Sequence, residues 1–272
     1  MPSNDIKDHE TRRITKERLE GLYALYNHRE FVHPDPLEFL YGYPDPLERE
    51  LVGLVASSLA YGRVVQILKS VGFVLERMGP SPRAFLMGSS PKEIIDVFSG
   101  FRHRFTTGEE MAAMLLGARE VIGRYGSLYE CFMGCYSKHE DTVLPALSML
   151  VGHFDCNLGN QKNSLLPSPH RGSACKRLNL FLRWMVREDR VDPGGWPGIP
   201  ASKLIIPLDT HMHRIGLDLN MTRRKQADIR TAIEITHSFR EIAPDDPVRY
   251  DFALTRLGIR KDADLETFLR EC

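Results

Sequence analysis

The sequence predicts an all-α fold, on three observations. Strand signals are scarce: valines and isoleucines fall inside helix-period patterns, and no Asn-Gly or Asp-Gly hairpin turn occurs. Helix starts recur. Asp35-Pro36-Leu37-Glu38 and Asp45-Pro46-Leu47-Glu48 lie ten residues apart, each with Asp able to cap, Pro in the first turn and Glu three positions after the cap. Asp246-Pro247 offers the same start near the C-terminus. The third observation is a series of apolar stripes at helical spacing.

Taken in order, apolar residues at 47, 51, 52, 54, 55, 59 and 60 make one face of a packed helix, which Gly62 interrupts. A second helix runs from Val64 through Met78 and stops at Gly79-Pro80. Glu109 to Arg124, Leu128 to Tyr136 and Val143 to Phe154 follow as helices. Residues 156–173 are polar and turn-rich, so they read as a loop. Lys176 to Arg187 is apolar on most sides and reads as a deeply packed helix. A second turn-rich connection, Asp192 to Pro200, leads into an apolar approach that ends at Asp209. Helices near 210–219, 225–242 and 247–258 close the chain.

Composition narrows the class. Hydrophobic residues make up 42% of 272, ordinary for a globular protein, and no apolar run approaches the roughly 18 residues of a membrane span. The first twenty residues are charged throughout, unlike a signal peptide. Five cysteines at irregular spacing fit a reduced, cytoplasmic protein. The 36 basic and 36 acidic residues cancel. That weighs against extended nucleic-acid binding but leaves room for a compact footprint on a few phosphates.

The segment Ile206-Pro207-Leu208-Asp209-Thr210-His211 delivers a carboxylate to a helix start, where free backbone donors and the helix dipole favour it. On spacing alone Asp209 reads either as a cap or as a catalytic acid. Lys176 opens an apolar helix 33 residues earlier, while Lys203 follows a Pro-Gly-rich loop only six residues before Asp209. Cys131 and Cys135 share a helix face, and His153 and Cys156 lie three apart. Their order fits no common zinc module, so they read as buried cysteines, with no metal and no cofactor. The basic run Arg223-Arg224-Lys225 after Thr222 reads as a solvated face behind a cap.

Pro207-Leu208-Asp209-Thr210-His211 followed by an aliphatic helix resembles the helix-hairpin-helix DNA glycosylases, the family of endonuclease III and the adenine glycosylases. Leu54 to Arg63 resembles that family's first barrel helix and DNA-entering loop, and Phe101 to Tyr125 resembles the segment after it. The likeness spans about Leu47 to Ile259. The whole chain also resembles a bacterial family known only as a domain of unknown function.

The family resemblance implies that Asp209 assists base departure and stabilises positive charge on the sugar. It also implies a lysine that displaces the base and forms a Schiff base. Lys176 resembles the lysine of the archaeal 8-oxoguanine glycosylases, with Leu166 to Ser173 as the hairpin, whose amides, around Arg171 and Gly172, are placed to hold a phosphate. The compact Gly-x-Gly hairpin of the family is absent, and so is the four-cysteine iron–sulfur motif. Asp251 is placed to meet a purine edge, with a solvated first-turn acid as its plainer reading. Trp196, in its Gly/Pro loop, is the stacking candidate, and Trp184 reads as core. Tyr61 and Arg63 follow a helix end, where they would fill the gap left by a flipped base or simply cap and pack.

The expected architecture is two helical subdomains with a cleft between them. Residues 47–187 form a helical barrel that ends in the hairpin and the Lys176 helix. Residues 1–46 plus 188–272 form the second subdomain, which carries Asp209. The expected protein is a monomer acting on double-stranded DNA with a damaged base. It excises an oxidised purine such as 8-oxoguanine and cleaves the abasic site. A non-catalytic DNA-binding module and a helical protein-interaction scaffold are the alternatives.

Overall fold

A computed structural model of the chain describes residues 15–155 and 164–259. Twelve α-helices occur among the described residues: α1 (Lys16–Tyr26), α2 (Pro46–Ser58), α3 (Val64–Met78), α4 (Pro82–Gly88), α5 (Pro91–Phe98), α6 (Gly108–Tyr125), α7 (Leu128–Cys135), α8 (Leu144–Asp155), α9 (Lys176–Val186), α10 (Thr210–Asp218), α11 (Ile229–Ile242) and α12 (Asp251–Ile259). Two short strands, β1 (Arg102–His103) and β2 (Thr106–Thr107), pair antiparallel in a small hairpin. The fold is all-α.

The capping chemistry sets where these helices begin. Asp45 Oδ1 accepts from the Leu47 amide at 3.0 Å, and Pro46 occupies the first helical position of α2. Asp35 accepts from the Leu37 amide at 2.9 Å in the same way, but its Pro36 opens a 3-10 turn over Pro36–Gly42 rather than an α-helix. Helix α5 carries a complete capping box, with Ser90 bonding the Glu93 amide and Glu93 reaching back to the Ser90 amide. Two expected boundaries are corrected. The last helix starts at Asp251, because Asp246 spends its carboxylate on Arg187 instead of capping. Helix α11 starts at Ile229 with Asp228 as its cap, so Thr222 to Lys225 lie in the turn before it.

Helix α2 runs through the middle of the core, and every residue from Glu50 to Ser58 is buried. It packs against α9, α3, α4 and the Pro36–Gly42 turn. Gly53 lets α9 come close: a Cβ there would sit 3.3 Å from the Phe181 ring of α9. Helix α6 packs with α4, α5, α7 and α8. Helix α12 packs with α1 and α10. One contiguous apolar cluster joins all these elements. No described helix is long and apolar enough to cross a membrane.

Glu50 is a buried carboxylate with a structural task. It accepts from the first-turn amides of α7, Leu128 at 2.9 Å and Tyr129 at 3.0 Å, and from Trp196 Nε1 at 3.3 Å. Burial pushes its carboxyl up to about 7, against the pull of these three donors. A raised acid pKa means that the folded state holds the proton more tightly than the unfolded chain does. The associated stability is therefore present below the ordinary value of 4.5 and is lost as pH rises to about 7. The stability deficit of Glu50→Gln relative to the native protein should narrow by about 3 kcal/mol across that window. Urea unfolding of both proteins at several pH values measures it, and a constant deficit would contradict the assignment.

Candidate functional site

The apolar approach Leu204 to Leu208 is extended and buried, and it delivers Asp209 to the start of α10. Asp209 Oδ1 accepts from the Met212 amide at 2.8 Å, which makes it the N-cap. Its other oxygen is left for long-range use: Oδ2 lies 3.5 Å from Lys176 Nζ. The cap and the lysine partner are thus the same residue, using different oxygens. Lys176 is the first residue of α9, and both side chains remain partly exposed. Before it, Gly172 and Cys175 adopt left-handed backbone, with φ of 78° and 49°, which turns the chain sharply into α9.

The pair sits in the wall of a cavity of about 240 Å³. Leu180, Arg183 and Trp184 of α9 line it, with Pro207 and His211, Asp251, Phe252 and Arg256 of α12, the Asp35-Pro36 start, and Ala60, Gly62, Val64 and Ile67 at the α2–α3 junction, but neither Tyr61 nor Arg63. Trp184 Nε1 and Arg256 Nε are buried and have no hydrogen-bond partner among the described residues. A larger groove of about 860 Å³ runs along α5 and α6, but neither Lys176 nor Asp209 lines it.

Residues 35–260 match a family described as "Protein of unknown function (DUF2400)". The chain belongs to the DUF2400 family. No curated protein and no solved structure matches it. The matched span holds both members of the pair and every cavity residue except Pro34.

In this DUF2400 chain the other expected residues fall in different places. Lys203 is tied down elsewhere, its Nζ donating to the backbone carbonyls of Glu140 at 2.5 Å and Lys138 at 3.5 Å. The stacking role expected of Trp196 is corrected: the ring is 2% exposed, packed among Tyr129, Phe132 and Phe181. Trp184, read as core, is the tryptophan that lines the cavity. Asp251 is no solvated acid. It is buried, lines the cavity and pairs with the buried guanidinium of Arg183. Burial raises its pKa, Arg183 opposes that rise, and the nearby Asp209 carboxylate adds to it. Arg171 and Gly172 are exposed in the turn before α9, outside the cavity lining. Cys156 lies outside the described residues.

Tyr61 is a packing residue of the hairpin base. Its hydroxyl lies 2.9 Å from the His103 carbonyl, to which it donates, and 2.6 Å from Thr106 Oγ1. Arg63 is exposed at the start of α3. Between them Gly62 has φ 98°, and a Cβ there would come within 2.7 Å of the Arg104 side chain. Arg104 therefore folds over a residue of the cavity wall. Next to it at the hairpin tip, Phe105 is 79% exposed. Sequence reading did not single out Phe105. Its signal was an aromatic set among arginines at 102 and 104.

Behind the cavity lies an ion-pair network absent from the sequence reading. Asp192, fully buried, receives Arg183 Nη2 at 3.1 Å and also pairs with Arg187. Arg187 further binds Asp189 at 2.8 Å and Asp246 at 2.9 Å. Removing one member of such a network strands a buried charge. Asp192→Ala should cost about 3–5 kcal/mol in urea unfolding. A loss under 1 kcal/mol would show that the arginines find water instead.

Proposed function

We propose that this protein is a DNA glycosylase with associated abasic-site lyase activity, acting on an oxidised purine. The observation that carries the reading is the 3.5 Å approach of Lys176 Nζ to Asp209 Oδ2 in the wall of a small cavity. In the proposed reaction Asp209 takes a proton from the Lys176 ammonium. The freed lone pair attacks C1′ of the sugar, and the bonding electrons leave with the base, which receives the proton. Once Asp209 has passed that proton to the departing base, its carboxylate is charged again and balances the positive charge on the sugar. In the resulting C1′ N,O-acetal the nitrogen lone pair forms C=N as the C1′–O4′ bond breaks and the nitrogen proton passes to O4′, giving the ring-opened imine from which strand cleavage by elimination follows.

Two further features support the reading. The cavity offers aromatic walls in Trp184 and Phe252, which suit stacking on a flipped heteroaromatic base. The exposed Phe105 has the Arg104 guanidinium over its ring at 5.4 Å, an apolar tip beside a cation that suits a duplex opened at one base pair. The test is a panel of lesion-containing and abasic duplexes with borohydride present. A covalent protein–DNA adduct on an oxidised-purine duplex is the expected result. Salt-dependent DNA binding without any adduct or base release would leave a binding module in its place.

A further inference from the structure

The spacing of Cys131 and Cys135 puts both thiols on one face of α7, and the packing of α7 against α8 brings a third ligand to them. The two sulfurs and an imidazole nitrogen of His153, in the last turn of α8, all lie within 4.8 Å of one another. We propose that Cys131, Cys135 and His153 form a binding site for one thiophilic divalent transition metal, zinc being the best fit. A tetrahedral zinc site with sulfur at about 2.3 Å and nitrogen at about 2.0 Å needs ligand atoms roughly 3.4–3.8 Å apart. A closure of about 1.4 Å at most reaches that geometry, within side-chain rotation.

The donor set selects the ion. Two thiolates and an imidazole favour zinc over magnesium or calcium, which take oxygen ligands. Three protein ligands leave the fourth position to a water or another small donor. The surroundings fit a built site. Cys131 is fully buried, and the Tyr125 hydroxyl stands 3.4 Å from His153 Nε2 and 3.5 Å from its Nδ1. Both thiols give up their protons to ligate the metal, so binding releases two protons and weakens as pH falls. None of the three residues lines the Lys176–Asp209 cavity, so the site acts by pinning α7 to α8.

The experiment uses the full chain, stripped with chelator under reducing conditions and titrated with Co²⁺ as a spectroscopic stand-in for zinc. One equivalent should produce a thiolate-to-cobalt charge-transfer band with the intense visible bands of tetrahedral cobalt, and Zn²⁺ should bleach both stoichiometrically. Cys135→Ser, which alters a less buried position than Cys131, should lose most of the charge-transfer band. His153→Ala should weaken binding and change the visible bands. Circular dichroism of each variant shows that it is folded. The absence of a charge-transfer band in the native chain, or its full retention in folded Cys135→Ser, would overturn the proposal. Both readouts are independent of DNA, so they stand or fall separately from the glycosylase reading.

Discussion

Lys176→Ala is expected to abolish the borohydride-trapped DNA adduct while leaving the protein folded. The amine is the only group in the Lys176–Asp209 pair that forms an imine, so alanine removes the reaction itself and not merely its rate. The cost to the fold is small. Lys176 is the first residue of α9, where a cation opposes the helix dipole, and alanine is the best helix former. Unfolding free energy should stay within about 0.5 kcal/mol of the native protein. DNA affinity should fall modestly, with the salt slope reduced by about one unit at most. Lys203→Ala serves as the control. Its ammonium is already committed to the carbonyls of Lys138 and Glu140, so trapping should proceed normally. If Lys203→Ala loses the adduct and Lys176→Ala keeps it, the nucleophile is misassigned but base excision stands. If the native protein traps nothing on any lesion under varied salt and pH, the lyase reading fails. Salt-dependent affinity for duplex DNA then separates a binding module from a protein scaffold.

What the sequence made legible was local. Helical periodicity places α2, α3 and α6 to α10 within a few residues of their observed bounds, because a stripe of apolar side chains is a property of consecutive residues. Asp209 was legible as a cap for the same reason. The approach of Lys176 to the other Asp209 oxygen depends on how α9 and α10 sit in three dimensions, so it was expected only through the family resemblance and not from spacing. The same limit explains the two tryptophans. A Gly/Pro loop suggests exposure for Trp196, yet that loop is anchored by its amide hydrogen bonds and folds the ring under α7, where Glu50 receives its N–H. Asp251 looked like a first-turn acid in water. It is buried instead, paired with Arg183, a residue 68 positions earlier. Cys131 and Cys135 were seen on one helix face, but only the packing of α8 brings His153 to them.

Asp209→Asn is the sharpest test of the site, because it separates the two tasks of one side chain. Asparagine caps a helix as well as aspartate does, so the Oδ1 hydrogen bond to the Met212 amide should persist and the start of α10 should hold. What is lost is the negative charge at Oδ2, beside Lys176 Nζ. An amide neither accepts the ammonium proton nor balances a sugar cation as a carboxylate does. Base release under single-turnover conditions should therefore slow by about 10²–10³-fold, equivalent to roughly 2.7–4 kcal/mol. Urea unfolding should stay within about 0.5 kcal/mol of the native protein. Asp209→Ala supplies the contrast: it should lose the same chemistry and also about 1 kcal/mol of stability through the vacated cap. If Asp209→Asn released base at the native rate while Asp209→Ala was destabilised, Asp209 would be a cap and nothing more. The charge that the proposed mechanism requires would then have to come from another carboxylate of the cavity wall, with buried Asp251 the first to be replaced.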